Sequence, residues 1–354
     1  MIIAVDCRHL DSSGIGIYIR GCLPYFLDSG NFFCLIGDPE KLKELVAGRT
    51  NAEILECVVK PFSFRELIFF PSHFLSKINK CDLYYSPFFN IPGGVKVPVY
   101  TTIHDIIFPD MPELASRAGL AVRMQFYRRA FAKSKKIFTV SEFSKSRIEY
   151  YSRRRVPVVV THSALRPEIT RQQKTGTEKQ NTILFIGNIK KHKGLAILLE
   201  AFLLARAEGL QHQLVIAGSR DNFRTTDNAV LRKIDALGPG VVTFTGFISD
   251  EELADCLSRA ALLVQPSLYE GFGLPPLEAL VLGTHALISD IPVFREIYGE
   301  FPVAFFRAAD AIDLKNKMMK LLFNKSPSSP VVSNQLLLKY TFEKTAKTVL
   351  RELE

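Results

Sequence analysis

Two acidic residues and a glycine-rich loop lie close together in residues 262–278, which hold residue types well suited to binding a ligand. The apolar run that begins at Leu262 predicts a strand buried on both faces of a parallel sheet. Two consecutive prolines after the glycines predict the first turn of a helix, where a missing N–H is no loss. Glu270 therefore stands in a loop between strand and helix, and Glu278 stands in the first helical turn.

That arrangement suits a negatively charged ligand. The N-terminus of a helix carries unpaired N–H groups and about half a positive charge, and Gly271 and Gly273 let the backbone approach a ligand closely. The glycines alone would equally fit a tight turn. Carboxylates repel phosphate, so Glu270 and Glu278 are better interpreted as acceptors for hydroxyl groups on either side of it. A ligand with phosphates in the middle and hydroxyls at both ends is a nucleotide sugar.

The segment EGFGLPPLE resembles the E-x7-E signature of retaining glycosyltransferases of the GT-B fold, closest to family 4, which includes many bacterial mannosyltransferases. The resemblance extends over nearly the whole chain. It implies an α/β protein of two doubly wound, Rossmann-like domains that face a central cleft. The implied parts are an N-terminal acceptor domain, a linker, a C-terminal donor domain and a last helix that packs back on the first domain, over residues 1–170, 171–181, 182–335 and 336–354.

A second glycine loop follows the first predicted strand, in the segment SSGIGIY at residues 12–18. A G-x-G after a strand is weak evidence by itself, because Rossmann folds of many kinds carry one. The third glycine of a dinucleotide fingerprint falls too late, so a nicotinamide cofactor is not expected. In the resembling family the amides of this loop approach the phosphate and sugar of the donor, which implies that Gly14 and Gly16 belong to the donor site.

His104 and Asp105 follow a predicted strand at residues 99–103, and ligand groups collect at the carboxyl ends of strands in open α/β sheets. A single histidine there would also fit a structural role. The resemblance implies that His104 is a catalytic residue close to the donor sugar and that Asp105 orients it. The segment VSEFS matches another family pattern, which implies that Ser141, also the predicted N-cap of a helix, and Arg147 lie on the acceptor side. Asp105 is assigned to the acceptor side as well.

Three lysines surround a glycine turn in residues 187–194, which join a predicted strand to a predicted helix. Surface lysines usually have no special role, but three at the carboxyl end of a strand suit a phosphate clamp. The resemblance implies that Lys193 contacts the diphosphate of the donor and that His192 stands where many relatives carry arginine. It places these further residues at the donor site: Asn188, Gly246, Ile248, Gly271, Phe272, Gly273 and Leu274.

The implied mechanism assigns each part of the donor to one of these groups. Lys193 and the amides near Gly273 and Leu274 stabilise the departing diphosphate. Glu278 holds the ribose hydroxyls and Glu270 the transferred sugar, so Lys193 and Glu270 are the predicted catalytic residues of this domain. The family transfers the sugar with retention, and its precedent is attack from the leaving-group side. No His/Asp cluster has metal-ligand spacing, so transfer without a metal ion is expected.

The 354-residue chain is 47% hydrophobic and carries a formal charge of +9. This charge suits an anionic substrate, an anionic membrane surface or a nucleic acid, and does not separate them. Six scattered cysteines without a C-x-x-C pair indicate reduced core residues of a cytosolic protein. No apolar run approaches the ~20 residues of a membrane span, and a signal peptide is not expected.

Two basic segments each admit two interpretations. The Phe-rich residues 61–80 fit a core helix broken by Pro71, which is favoured, or a surface that rests on a membrane or grips a lipid-linked acceptor. Residues 122–136 predict a basic amphipathic helix. Its charged residues are interpreted as a solvent-exposed face, which is favoured over contact with a membrane or with the acceptor.

The IHD, NIKKHKG and EGFGLPPLE segments together resemble the mannosyltransferase branch, which makes GDP-mannose the expected donor. The expected acceptor is a glycan or lipid-linked glycan, in surface polysaccharide synthesis at the inner face of the cell membrane. No cofactor is expected beyond the nucleotide-sugar substrate. A nucleotide-sugar 2-epimerase and a catalytically silent nucleotide-sugar-binding protein are the alternatives. A nucleic-acid binder is disfavoured, because no aromatic–basic motif of a known module occurs.

Overall fold

The computed structural model describes residues 1–171, 177–218, 228–323 and 329–354. The chain divides into unit 1, which is residues 1–164 and 339–354, and unit 2, which is residues 165–338. Residues 171–181, the predicted linker, fall within unit 2, and residues 172–176 of that linker lie outside the described part.

Unit 1 contains a parallel sheet of seven strands within residues 1–164. The strands are β1 (Ile2–Asp6), β2 (Phe32–Gly37), β3 (Ala52–Glu56), β4 (Leu83–Ser86), β5 (Val99–Thr102), β6 (Ser134–Thr139) and β7 (Val158–Val160). Their order across the sheet is β3-β2-β1-β4-β5-β6-β7. The helices of this part are α1 (Ser13–Leu27), α2 (Pro39–Leu42), α3 (Phe64–Ile68), α4 (Ser72–Ile78), α5 (Ile107–Asp110), α6 (Arg117–Lys133) and α7 (Glu142–Ser152). The apolar run of β2 is buried after its first residue, as in a sheet covered on both faces.

Unit 2 contains a second parallel sheet, of six strands among its described residues. The strands are β8 (Thr182–Ile186), β9 (Gln213–Ala217), β10 (Val242–Phe244), β11 (Leu262–Gln265), β12 (His285–Ser289) and β13 (Ala304–Phe306). Their order is β10-β9-β8-β11-β12-β13. The helices are α8 (Pro167–Arg171), α9 (Leu195–Ala207), α10 (Asn228–Asp235), α11 (Asp250–Arg259), α12 (Pro275–Val281), α13 (Pro292–Tyr298), α14 (Ala311–Phe323) and α15 (Asn334–Leu337). All of β11 is buried, as its apolar run predicts.

Both sheets are doubly wound. In unit 1 the chain starts at β1, moves outward to β3, and returns to place β4 on the other side of β1. Unit 2 repeats this order, from β8 out to β10 and back to β11. At such a switch point the two central loops diverge and leave a crevice at the carboxyl ends of the strands. The predicted α/β class with two Rossmann-like domains is confirmed, and ligand groups are expected after β1 and β4 and after β8 and β11.

Two predicted helices differ from the structure in their limits. Residues 61–80 form α3 and α4, and Pro71 stands immediately before α4, where a helix break was predicted. The helix predicted at residues 122–136 is α6, which begins at Arg117 and ends at Lys133. The residues that follow Lys133 pair with β5 as the start of β6. Sheet pairing therefore overrides the helical pattern at that end.

Two findings concern the cysteines and the apolar runs discussed in the sequence analysis. All six cysteines are unpaired, and all but Cys256 are buried, as expected for core residues. No helix formed by the described residues is both long and apolar enough to cross a membrane.

The last helix, α16 (Phe342–Leu353), packs against α1 within unit 1. The buried ring of Phe342 covers Gly21, so closely that a Cβ atom on Gly21 would come within 2.4 Å of it. The Thr345 hydroxyl donates a hydrogen bond of 2.9 Å to the Thr161 carbonyl. The C-terminal residues therefore contribute to the packing of unit 1.

We expect Gly21→Ala to destabilise unit 1 by about 1–3 kcal/mol, because the new methyl group would overlap the Phe342 ring. Gly14→Ala in the same helix is the control, since none of the described atoms lies within 4 Å of its Cβ position and alanine favours a helix over glycine. Thermal unfolding should show a lower midpoint for the first variant only. Equal midpoints for the two variants would contradict the packing of α16 on α1.

Candidate active site

The loops that follow β8 and β11 are joined by backbone contacts at the switch point of unit 2. The Leu268 N–H donates to the His192 carbonyl at 2.7 Å. Gly194 has φ +71°, and a Cβ atom there would lie 1.9 Å from the Pro266 carbonyl oxygen. Only glycine fits that position, because a side chain would meet both backbone strain and backbone atoms. The two loops that carry the predicted donor residues are thus held against each other.

Lys193 and Glu270 form an ion pair across these two loops. The Lys193 ammonium donates to both carboxylate oxygens of Glu270, at 2.7 and 2.8 Å. The buried Ser267 hydroxyl donates a third hydrogen bond to Glu270, at 2.8 Å. Both predicted catalytic residues of unit 2 therefore meet in one place. Ser267 was not singled out in the sequence, although it lies three residues before Glu270.

His192 is neutral at pH 7. Burial, and next the positive charge of Lys193, lower the pKa of its ring to about 4. Its Nδ1 is buried without a hydrogen-bond partner among the described residues. The His192 ring lacks the permanent charge of an arginine. The positive charge of this loop is therefore carried by its lysines. Asn188 belongs to the same loop, and its carbonyl accepts a hydrogen bond from the Lys190 N–H.

The amides at the start of α12 are fewer than the sequence suggests. The two prolines that begin this helix have no N–H. The N–H groups of Leu277 and Glu278 both donate to the Leu274 carbonyl, at 3.0 and 3.1 Å. The N–H groups of Gly273 and Leu274 make no hydrogen bond within the described residues. An anion could therefore use the amides of the loop, but not those of the first helical turn.

The glycine loop itself is held tightly by its own unit. Gly273 has φ +83°, and a Cβ atom there would lie 2.4 Å from the Phe294 ring. The Tyr298 hydroxyl donates to the Gly273 carbonyl. Gly271 and Phe272 are buried. The Phe272 side chain therefore belongs to the core, and any donor contact at this residue would involve its backbone.

Glu278 is paired with Arg166, which the sequence did not single out. The Arg166 Nε and one terminal nitrogen donate to the two carboxylate oxygens of Glu278, at 2.7 and 2.8 Å. The other terminal nitrogen pairs with Asp250 at the start of α11. Glu278 is only 1% exposed. No spacing rule links these residues, because 112 positions separate Arg166 from Glu278.

The loop before α11 is open. Gly246 has φ +74°, and no atom of the described residues lies within 4 Å of its Cβ position. Phe247 is 96% exposed and Ile248 is half-buried. A fully exposed aromatic ring beside an open glycine is suited to stacking against a planar group.

In unit 1, the two glycines of the SSGIGIY segment differ in their surroundings. A Cβ atom on Gly16 would lie 2.1 Å from the Leu10 carbonyl oxygen, so close packing within unit 1 already requires glycine there. Gly14 is exposed, and within the described part of the chain no atom lies within 4 Å of its Cβ position. Of the two, Gly14 is the one beside which there is room for a ligand.

His104 is held by a backbone carbonyl in unit 1. Its Nε2 lies 2.9 Å from the Pro87 carbonyl, which can only accept, so Nε2 carries the proton. Burial lowers the pKa of the ring to about 4. The Asp105 carboxylate accepts a hydrogen bond from the Ile107 N–H at 3.2 Å. His104 is therefore a neutral imidazole at pH 7, with Nδ1 as its acceptor.

Ser141 and Arg147, predicted with Asp105 on the acceptor side, have structural partners. Ser141 is buried and accepts a hydrogen bond from the Ser144 N–H at 3.1 Å, which confirms it as the N-cap of α7. Arg147 donates two hydrogen bonds from its Nε and one from a terminal nitrogen to the Asp110 carboxylate. These contacts account for both side chains without an acceptor.

A buried ionic cluster at the switch point of unit 1 was not anticipated. Arg8 donates to Asp6 and to Glu66, each at 2.5 Å. The Asn90 amide donates to the same two carboxylates at 2.9 Å. Burial opposes ionisation of Asp6, yet Arg8 holds its pKa far below the usual range. The signal in the sequence was the position of Asp6 at the carboxyl end of β1.

Within the described residues, no group of three or more His, Cys, Asp or Glu side chains could hold a metal ion.

We expect the protein to lose stability on acidification below about pH 6.5, because the unfolded chain takes up protons that half-buried His104 does not accept until about pH 4. His104 alone should cost up to about 2 kcal/mol at about pH 5. His104→Asn should therefore show a smaller fall of the unfolding midpoint between about pH 7 and pH 5. His73→Asn, at an exposed histidine, is the control. An unchanged fall in His104→Asn would contradict a neutral His104 ring in the folded protein.

Comparison with known proteins places the chain in a family. Residues 155–334, just over half of the chain, match the model of the glycosyl transferases group 1. O-antigen chain mannosyltransferase B of Escherichia coli is 29% identical over 231 residues, which are 62% of this chain and 59% of that protein. The serotype-specific mannosyltransferase WbdA of Escherichia coli is 32% identical over 146 residues, which are 41% of this chain and 18% of that protein.

The matched region thus spans about three-fifths of the first of these relatives and less than a fifth of the second. Among solved structures, sucrose-phosphate synthase from Thermosynechococcus elongatus has a TM-score of 0.75 at 18% identity, over 100% of this chain and 99% of that one. That likeness identifies the fold as GT-B. The chain belongs to the group 1 family of glycosyltransferases.

Proposed function

We propose that the chain transfers mannose from GDP-mannose to a growing surface polysaccharide on a lipid carrier, with retention and without a metal ion. The observation that carries the proposal is the ion pair of Lys193 with Glu270 between the loops that follow β8 and β11, with Glu278 in the helix after the second loop. The choice of mannose is supported by the names of two relatives, an O-antigen chain mannosyltransferase and a serotype-specific mannosyltransferase.

The diphosphate binds beside Lys193 and the loop amides. Without a donor, the Lys193 ammonium neutralises Glu270, so neither charge is left alone in a half-buried place. A diphosphate offers Lys193 a second anion, and the amides of Gly273 and Leu274 supply further donors. Glu270 then has lone pairs for the hydroxyls of the transferred sugar, while Ser267 keeps its carboxylate in place.

The nucleoside binds between Glu278 and the loop at residues 245–249. Glu278 accepts from the ribose hydroxyls, and the open backbone at Gly246 and Ile248 meets the base. Phe247 is exposed enough to stack on the base or on the ribose. Because the contacts of this loop are backbone groups and one aromatic face, they suit a planar base. The choice of guanine rests on the resemblance of the IHD, NIKKHKG and EGFGLPPLE segments to the mannosyltransferase branch.

The reaction breaks the bond between the anomeric carbon and the diphosphate oxygen and forms a bond to an acceptor hydroxyl on the same face. The hydroxyl proton passes to the departing diphosphate, whose negative charge Lys193 stabilises. His104 is neutral and has Nδ1 available as an acceptor for a sugar hydroxyl. No covalent intermediate is needed, and no metal ion enters the scheme.

The direct test is donor binding followed by transfer in the presence of a chelator. We expect GDP-mannose to raise the unfolding midpoint and UDP-sugars not to. Mannose transfer to a lipid-linked acceptor should continue in EDTA. Lys193→Met should lower kcat by about 10²–10³-fold, the usual cost of one lost donor at a developing charge.

Lys191→Met is the matched control, since Lys191 is an exposed lysine of the same loop. Its rate should stay within about threefold of the wild-type rate, because an exposed charge contributes little. Equal stabilisation by UDP-sugars would reject GDP-mannose. Loss of activity in EDTA with recovery in Mg²⁺ would reject metal-free transfer, and donor turnover without acceptor would indicate an epimerase.

We also propose that unit 1 contacts an anionic membrane. Unit 1 carries 26 Lys and Arg against 18 Asp and Glu, whereas unit 2 carries 19 against 18. Residues 117–155 alone hold 12 basic and 2 acidic residues. Positive charge of this density attracts anionic lipid at about 1 kcal/mol per residue near the surface.

Exposed apolar side chains lie beside this basic region. Phe64 and Phe69 are each 66% exposed, and their rings are 5.9 Å apart. The loop at residues 91–93 links α3 to α6, because the Gly93 N–H donates to the Glu66 carbonyl and Arg129 donates to the carbonyls of Ile91 and Pro92. Apolar and basic groups on neighbouring elements suit a bilayer interface.

Sedimentation with vesicles tests the membrane contact. The protein should bind vesicles of phosphatidylcholine with phosphatidylglycerol, and less well as salt rises or without the anionic lipid. Replacing Phe64 and Phe69 together by serine should weaken binding about tenfold, since two aromatic rings lose apolar burial. Phe323→Ser, at an exposed phenylalanine of unit 2, should bind like the wild type. Equal weakening of vesicle binding by the double variant and by Phe323→Ser would contradict a membrane-binding surface at α3.

A further inference from the structure

Arg166 occupies an unusual place in the chain. It is the second residue of unit 2, immediately before α8. Its side chain is 9% exposed and lies against two acids, Glu278 of α12 and Asp250 of α11. The guanidinium therefore joins the helix of the EGFGLPPLE segment to the helix that follows the open loop at Gly246.

The geometry of the Arg166–Glu278 pair restricts the carboxylate to one orientation. Two parallel hydrogen bonds of 2.7 and 2.8 Å fix the plane of the Glu278 carboxylate. A carboxylate has about four lone-pair sites, and this fork uses one on each oxygen. The hydrogen bonds of the described residues leave one site on each oxygen, which is the pattern that a pair of neighbouring hydroxyls requires.

A purely structural role explains the pair less well. A buried ion pair of this kind is often no more stabilising than apolar residues of similar size. Glu278 is almost fully buried in a helix that is otherwise packed with apolar residues, and apolar side chains would serve that packing equally well. Fixed orientation of an ionised acid is what the arginine adds.

We propose that Arg166 is a positioning residue for nucleotide recognition, which aims Glu278 at the two ribose hydroxyls and ties Asp250 to the same guanidinium. The inference rests on the proposed function only in that Glu278 binds ribose. The positioning of Glu278 by Arg166 makes the site selective. The site distinguishes a ribonucleotide from a 2′-deoxyribonucleotide, and Arg166 is the source of that preference. Lysine cannot replace it, because an ammonium is a point charge without a planar fork.

Calorimetric binding of GDP, UDP and their 2′-deoxy forms tests this role. The wild type should bind the ribonucleotide about tenfold more tightly than its deoxy form, as expected for a lost hydrogen bond to a charged group. Arg166→Lys should reduce that preference to about twofold or less by weakening the ribonucleotide alone. In turnover it should raise the donor KM with little change in kcat. Arg259→Lys, which alters an exposed arginine paired with Asp255 on α11, should keep the full preference.

A second variant separates positioning from stability. Arg166→Met combined with Glu278→Gln removes both charges, so it should unfold near the wild-type midpoint while lacking the ribose preference. Arg166→Lys that keeps the tenfold preference, or that weakens both nucleotide forms equally, overturns the positioning role but leaves the transferase intact. A wild-type protein that binds neither GDP nor UDP overturns both. Binding of UDP in place of GDP rejects GDP-mannose while the ribose comparison still decides the role of Arg166.

Discussion

The ion pair between Lys193 and Glu270 joins the two loops on which the rest of the site depends. These loops leave the carboxyl ends of neighbouring strands, β8 and β11, and a doubly wound sheet sends such loops apart unless contacts hold them together. Backbone contact does so at His192 and Gly194, and the ion pair adds charge balance. The glycine at position 194 follows from that constraint, because a bulkier residue there would separate the loops.

A common principle governs the buried acids of both units. Glu270 has Lys193, Glu278 has Arg166, and the acids of unit 1 share Arg8. A carboxylate removed from water needs a cation and hydrogen bonds to remain ionised. Pairing thus provides acceptors of fixed orientation without an uncompensated charge. Ligand binding then becomes an exchange of partners at sites that are already organised.

The two units divide the charge unequally. Unit 2 is close to neutral, so the attraction for an anionic donor comes from a few local groups rather than from a general field. The excess of unit 1 lies mainly in residues 117–155, outside the glycine loop and the His104 loop. Neutral His104 and His192 fit this division, because neither adds charge at physiological pH. The net positive charge of the chain therefore reflects mainly residues 117–155 of unit 1. Donor recognition depends instead on individual side chains.

Local patterns in the sequence determined much of the fold and part of the site. Apolar runs predicted the strands, prolines predicted the start of α12, and Ser141 was recognised as an N-cap, because each signal involves residues close in the chain. Glycine spacing alone did not reveal that Gly16 serves packing while Gly14 has no close neighbour among the described residues, since the neighbour of Gly16 is a backbone carbonyl of another turn.

Tertiary structure decided what depends on partners far apart in sequence. The helix α6 ends at Lys133, before its predicted end at residue 136, because the next residues pair with β5. The amides of the first turn of α12 proved to be absent or already bonded. Arg166 reached Glu278 only because the sheet of unit 2 brings α8, α11 and α12 together. Periodicity and capping are local properties, whereas the partner of a buried charge is chosen by the folded chain.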